Sequence, residues 1–257
     1  GLDGAAYNLS MDGKDSKAVI KRFTKDDMER HLTEIEIHAI ASSLNHPNVS
    51  QLYTFFHCHK TFYTVSEKAD GNFVRVPGIL RELFGEEKSN KMVINLIFQI
   101  FYALYALQTK FKFTHYDLHF GNIFYKNVEK REITYVIDRF KYTISNYGLL
   151  LQIADFGFSR VEYPEGNVIS GNPSHAEHLN RTKDYNPLFD ICSLSYYLPR
   201  IKYAMKGYLD GNEEGKKIGG MDFECNWYDR EKKHHVKNKG LLEVKNLIPI
   251  LYASYRK

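Results

Sequence analysis

Cysteine is scarce, and the three present, Cys58, Cys192 and Cys225, lie far apart. An odd number at such spacing makes neither a disulfide framework nor a zinc-ligand pattern, so they read as reduced thiols of a cytoplasmic protein. A long apolar run is also missing. The best candidate, residues 96–107, is interrupted by Gln99 and followed by Lys110 and Lys112, short of the ~20 apolar residues that span a bilayer. No signal peptide, internal repeat or low-complexity tract is visible. Neither sign of charge dominates. A balance of 35 Lys and Arg against 31 Asp and Glu leaves +4, which gives no electrostatic reason to expect a nucleic-acid partner. What is present is 257 residues, 43% hydrophobic and 26% charged. That suits one large domain, or two lobes sharing a cleft.

The chain opens as strand, turn, strand, with a β-branched run at 17–23 after the turn-rich segment 11–16. Residues 25–44 predict a helix with Ile35, Ala39 and Ile40 on one face and Leu32 and Leu44 nearby. It should end before Asn45-His-Pro47, because proline disfavours helical geometry in the residue before it. Strands are expected over 49–57 and 61–67, around a turn at His59-Lys60. The polar break Ala69-Asp-Gly-Asn72 divides a small lobe, 1–68, from a larger one, 69–257. Ser89 is the expected N-cap of a long helix whose Val93, Leu96, Ile97, Ile100 and Leu104 recur at core spacing. Short strands follow at 122–125, 133–137, 141–144 and 149–153, and the last third reads as mainly helical, most clearly over 187–198.

Two segments carry chemistry. In His115-Tyr-Asp-Leu-His-Phe-Gly-Asn122, an aspartate and an asparagine five residues apart let one loop serve two roles. Asp117 can accept a hydrogen bond from an attacking hydroxyl, and Asn122 can offer a neutral oxygen to magnesium. In Ile153-Ala-Asp-Phe-Gly157, Asp155 ends an apolar run and can reach the same hard cation.

Together these segments resemble the catalytic loop and the magnesium-binding D-F-G of protein kinases. Other pieces appear in the same order. Ala18-Val-Ile-Lys21 resembles the strand with the phosphate-gripping lysine, and Glu36 on the next helix its ion-pair partner, with Glu34 competing and Glu36 preferred because Ile40 then faces the core. Asn45-His-Pro-Asn-Val49 and Tyr185-Asn-Pro-Leu-Phe-Asp190 also have counterparts, the latter ending in the aspartate that braces the catalytic loop. The resemblance implies a bilobal α+β fold in one kinase domain, ATP with Mg2+ (Mn2+ as substitute) and a protein substrate. It places Gly1 and Gly4 in the nucleotide loop, Ala6, Val19 and Phe124 around adenine, Ser66 as gatekeeper, and the backbone of Glu67 and Ala69 at the adenine edge. The family's first strand would then precede Gly1.

The chain departs from the pattern in places. Tyr116 replaces the usual arginine, which implies activity without loop phosphorylation, and His119 stands where a lysine is usual. The D-L-H-x-G-N loop resembles those of haspin-like kinases, large DNA viruses and small-molecule kinases of the aminoglycoside and choline type. Ala176-Glu-His178 takes the place of A-P-E. A hairpin inserted near 131–148 looks most like kinases of nucleocytoplasmic large DNA viruses, which implies a host cytoplasm or virion. Lys232 to Lys239 form a basic patch, read as solvated surface. The reading is a Ser/Thr protein kinase, with a small-molecule kinase and a pseudokinase scaffold as alternatives.

Overall fold

A computed structural model describes residues 4–11, 14–24, 28–171, 185, 187, 189–197, 248–249 and 252. Gly1, Ala176-Glu-His178 and the basic patch at 232–239 lie outside the described residues.

The small lobe is a four-stranded antiparallel sheet in the order β1-β2-β4-β3. Its strands are β1 (Gly4–Met11), β2 (Lys14–Phe23), β3 (Leu52–Cys58) and β4 (Thr61–Glu67). The β3–β4 turn holds His59 and Lys60 at φ 46° and 63°, the left-handed pair that a tight hairpin demands. One helix, α1 (Met28–Ser43), accompanies the sheet. It stops as expected, with Asn45 left-handed at φ 49° and its N–H bonded to the Ser42 carbonyl.

The inward face of α1 differs from the expectation. Glu34, Ile35, Ile37, Ile40 and Ala41 are buried, whereas Leu32 and Ala39 are exposed. Residues 34, 37 and 41 form a stripe at helical spacing, one that begins with a carboxylate and so escapes a search for apolar positions.

In the large lobe, α2 (Val76–Phe84) meets α3 (Glu86–Phe111) at Gly85. Gly85, at φ 76°, occupies the N-cap of α3. Ser89 is therefore not the cap. It lies one turn inside, its hydroxyl donating to the Glu86 carbonyl. The acidic Glu86 and Glu87 extend the helix backwards by favouring its positive end. By length and composition α3 is apolar enough to cross a membrane, but Leu96, Ile97, Ile100, Leu104 and Leu107 are fully buried in the core.

Against α3 lies a three-stranded sheet, β5 (Gly71–Asn72), β6 (Ile123–Asn127) and β9 (Leu149–Ile153), in the order β5-β6-β9. Between β6 and β9 the chain makes a separate hairpin of β7 (Glu132–Ile137) and β8 (Phe140–Ser145). After β9, β10 (Arg160–Glu162) and β11 (Val168–Ser170) pair antiparallel. Helix α4 (Phe189–Tyr197) completes the described elements that matter to the site. One continuous core joins Ile37 and Ala41 of α1 to Leu96 and Ile100 of α3, Ile153 of β9 and Ile191 of α4.

Candidate active site

Register along β2 aims several side chains the same way. Ala6 pairs with Lys21 across β1–β2, and Lys21 and Val19 pair with Thr64 and Ser66 across β2–β4. Directly opposed residues, and those two apart on a strand, share a sheet face. Ala6, Val19, Lys21, Thr64 and Ser66 therefore line one surface.

Lys21 Nζ donates to Glu34 Oε1 at 2.5 Å. Glu36, the preferred partner in the sequence, is exposed and does not make this pair. The reason is helical phase. Glu34 precedes the fully buried Ile37 by three residues, whereas Glu36 is about 200° further around the helix, at ~100° per residue. Ile40 sits at the margin of the buried face, so its burial does not carry Glu36 inward. Glu36 instead faces the segment after β10: burial first, then the negative charges of Glu36 and Glu165, push the Tyr163 hydroxyl above its ordinary pKa.

The loop before β6 is held from below. Asp190 of α4, fully buried, accepts the backbone N–H of His115 at 2.8 Å and of Tyr116 at 3.0 Å. This lets Tyr116 adopt φ 64°, a left-handed conformation that costs a non-glycine residue about 1 kcal/mol or more. The Tyr116 ring is buried edge-on against Phe189, centroids 4.9 Å apart. It thus fills space where an arginine would offer a charge.

Asn122 folds back on Asp117. Its Nδ2 donates to the Asp117 carbonyl at 2.9 Å and to Asp117 Oδ2 at 3.1 Å. Its own carbonyl accepts the Ala154 N–H at 3.0 Å. The buried His115 ring bonds the Ala154 carbonyl at 3.0 Å, so both backbone groups of the residue before Asp155 are fixed by the loop that carries Asp117. His119 caps the 3-10 turn Phe120–Asn122, its Nδ1 accepting the Gly121 N–H at 2.9 Å. That acceptor role leaves the proton of the neutral ring on Nε2, which lies 3.7 Å from Asp117 Oδ2. A Cβ on Gly121 would come within 2.6 Å of His119 Cε1, so a side chain here turns the His119 ring out of its capping position.

Asp155 leaves β9 at φ 63°. Phe156 is buried, its ring centroid 4.8 Å from His38 and 5.9 Å from His115. A Cβ on Gly157 would lie 3.2 Å from Glu34 Oε2 and 3.6 Å from Asp155 Oδ1, so the two carboxylates converge on this glycine and bring Asp155 beside the Lys21–Glu34 pair. His38 lies among these groups, donating from Nε2 to the Ser50 carbonyl at 2.9 Å. Burial lowers its pKa to about 4; the bond to Ser50 opposes the shift, Lys21 adds to it, and Asp155 opposes it.

Phe124 is half-buried on β6, paired with Asn72 and Gln152. Glu67 uses its N–H on the Gln51 carbonyl at 2.9 Å, which leaves its carbonyl and the half-buried Ala69 as the backbone candidates for a ligand edge. The Glu67 carboxylate bonds Lys126 of β6 and accepts from Gln152 Nε2 of β9 at 2.8 Å. Gly4 opens β1 paired with Phe23, within the sheet rather than in a free loop. With φ 155° and only 2.2 Å from a would-be Cβ to the Arg22 carbonyl oxygen, it admits no side chain.

Among the described residues no cluster of three or more His, Cys, Asp or Glu forms a cage for a metal. The donors at this cleft, the Asp155 carboxylate and the Asn122 amide oxygen, fit a hard cation that keeps water and takes its remaining ligands from substrate phosphates, as Mg2+ does.

A two-lobed α+β fold with a lysine–carboxylate pair between sheet and helix, an Asp–Asn loop and a second aspartate at a strand end defines the protein-kinase-like class. The family model described as the protein kinase domain matches residues 1–220, and the chain belongs to that family. Members of this family in general use ATP, with Mg2+ as its counter-ion. A "probable serine/threonine-protein kinase" of Dictyostelium discoideum is 32% identical over 135 residues, 49% of this chain and 11% of its own. Haspin of Mus musculus is 25% identical over 131 residues, covering 44% and 17%. An Aurora kinase of Eremothecium gossypii is 24% identical over 159 residues, covering 60% and 36%. The matched segments thus span about a third or less of these relatives' own lengths.

Sequence reasoning missed the role of Glu34, the packing of His38 on Phe156 and the close approach of the His119 ring to Gly121. The first was visible as a rival glutamate. His38 and Phe156 lie on separate segments, and the contact of His119 with Gly121 depends on a ring orientation that residue types alone do not set.

Proposed function

We propose that this chain is an active kinase that transfers the γ-phosphate of Mg-ATP to serine or threonine hydroxyls of proteins. The observation that carries this is the frame formed by Asn122. Its side chain holds Asp117 while its carbonyl holds Ala154, the neighbour of Asp155. In this reading Lys21, oriented by Glu34, neutralises phosphate charge on one side of the cleft. Asp117 accepts a hydrogen bond from the attacking hydroxyl and orients it in line. Asn122 and Asp155 hold magnesium, with manganese as substitute; when bound, the metal offsets charge on the phosphate oxygens. His119 offers Nε2–H toward the transferring group. Ala6 and Val19 cover adenine, Phe124 underlies it, and Ser66 is the small gatekeeper beside it.

A protein substrate is favoured over a small molecule by Asp190 and the His-Pro-Asn segment, and the relatives named above are protein kinases. The D-L-H-x-G-N loop together with the inserted hairpin supports kinship with kinases of large DNA viruses, acting in a host cytoplasm or carried in the virion. The test is transfer of radiolabelled phosphate to casein and basic protein, beside choline and an aminoglycoside, followed by phosphoamino-acid analysis. Label on phosphoserine or phosphothreonine is expected. Label only on a small molecule, or only on tyrosine, would refute the substrate assignment.

A further inference from the structure

The β7–β8 hairpin is inserted between the strand that follows Asn122 and the strand that leads to Asp155, and the site as read gives it no task. One of its side chains nevertheless reaches the support of that site. The Tyr135 hydroxyl donates to Asn48 Oδ1 at 3.1 Å. Asn48 is fully buried. The other end of its amide, Nδ2, donates to the Leu151 carbonyl at 2.7 Å and to Gln99 Oε1 at 2.9 Å. Its backbone carbonyl accepts the Ile153 N–H at 2.9 Å, and the Ser50 N–H returns a bond to the Ile153 carbonyl at 2.9 Å. Gln99 adds two more contacts, accepting from Leu151 N–H at 3.0 Å and donating to the Leu149 carbonyl at 3.0 Å.

Strand β9 is therefore clamped at alternate residues by two buried amides, and its last residue lies two positions before Asp155. The orientation of the Asn48 amide matters. Only the NH2 end can bond the Leu151 carbonyl, so Oδ1 must point away from β9 and find a donor elsewhere. Tyr135 supplies it. Without that hydroxyl, Oδ1 is a buried acceptor short of this partner, and relief comes only if the amide shifts and loosens its hold on β9.

We propose that Tyr135 is a positioning residue: through Asn48, the inserted hairpin fixes the end of β9 and with it the place at which Asp155 presents its carboxylate. This rests on the reading of Asp155 as a magnesium-binding group. The hairpin's attachment does not depend on the hydroxyl. The Tyr135 ring packs on Tyr102 with centroids 4.4 Å apart and on Phe98 at 5.9 Å. Tyr135→Phe keeps that packing and removes only the bond.

The experiment compares wild type, Tyr135→Phe and Tyr102→Phe. Tyr102→Phe is the control, because its hydroxyl donates to the Val136 carbonyl at 3.1 Å and so ties down the same hairpin without touching Asn48. Transfer rates are measured against Mg2+ concentration at saturating ATP, and ATP affinity is measured with and without Mg2+. For Tyr135→Phe, metal-free ATP affinity should be unchanged, while kcat falls and half-saturating Mg2+ rises, together by about 2- to 30-fold. Tyr102→Phe should match wild type in both. Equal kcat and equal Mg2+ dependence for Tyr135→Phe and wild type, or equal changes in both variants, would overturn the proposal. If wild-type ATP binding shows no response to Mg2+, the reading of Asp155 falls, and this inference with it.

Discussion

Replacing Glu34 with glutamine should damage catalysis, whereas the same change at Glu36 should not. The Lys21–Glu34 contact is 2.5 Å long, with the lysine side chain 26% exposed and the glutamate 7%. Breaking a fully buried pair by neutralising one partner costs about 3–5 kcal/mol, and an exposed pair is worth about 1 or less. Burial between those limits gives about 2 kcal/mol, which, where it falls on the orientation of Lys21 toward phosphate, is roughly a 30-fold loss in kcat/KM. Glutamine keeps the size and one carbonyl acceptor, so the fold should survive. Glu36→Gln alters an exposed side chain and should change the rate by about twofold or less. The assay is initial-rate phosphate transfer to a generic protein substrate, with ATP affinity measured in parallel. Should Glu36→Gln prove the more harmful, the phase assigned to α1 is wrong. If Glu34→Gln lowers thermal stability but leaves kcat/KM intact, the pair is structural and Lys21 does not need it to meet phosphate.

Gly121→Ala should displace the His119 ring, because a Cβ there meets Cε1 at 2.6 Å and Nδ1 at 2.8 Å; we expect about a 10-fold loss in kcat with little change in melting temperature, and wild-type turnover would contradict the need for glycine. Asp190→Asn sets an amide NH2 against one of two backbone N–H donors in a buried site, at a cost of about 2–3 kcal/mol, readable as a lowered urea midpoint; an unchanged midpoint would mean the brace is dispensable. His38, lowered to about 4 from an ordinary 6.5, takes up its proton in the unfolded chain first as pH falls. Stability is therefore complete above about pH 6.5 and declines toward pH 4. The full shift corresponds to about 3 kcal/mol, an upper bound because the ring is only half-buried. His38→Gln, which keeps a donor for Ser50, should flatten that decline in urea unfolding at pH 7 and 5, whereas an identical slope in the variant would assign the pH dependence elsewhere, His46 being the other histidine among the described residues lowered to about 4 by burial.

The parts of the site legible in the sequence are those where chemistry dictates residue type. Asp117, Asn122 and Asp155 stand out because few other residues suit a hydroxyl and a hard cation. The β4 strand at 61–67 and the hairpin strands were legible because alternation and β-branched runs mark extended chain. The inward face of α1 was legible only in part: Ile35 and Ile40 are buried as expected, whereas Glu34 joins that face and Ala39 and Leu32 point outward. Ser89 misled because a serine before an apolar stripe imitates a cap, while Gly85 and the acidic turn after it set the true start. The Tyr135–Asn48 and Glu67–Lys126 bonds join residues 87 and 59 positions apart, and no local pattern announces either.

In the proposed function Lys21, Asp117, Asn122 and Asp155 act together on a metal-bound triphosphate. The most direct test of this is transfer of radiolabelled phosphate from ATP to protein, in Mg2+, by wild type and Asp117→Asn, with ATP affinity determined for both. Wild type should label serine or threonine, and the variant should lose about 10²- to 10⁴-fold in turnover while binding ATP within about twofold of wild type. Full turnover by Asp117→Asn, or no transfer by a wild-type protein that binds Mg-ATP, would contradict it.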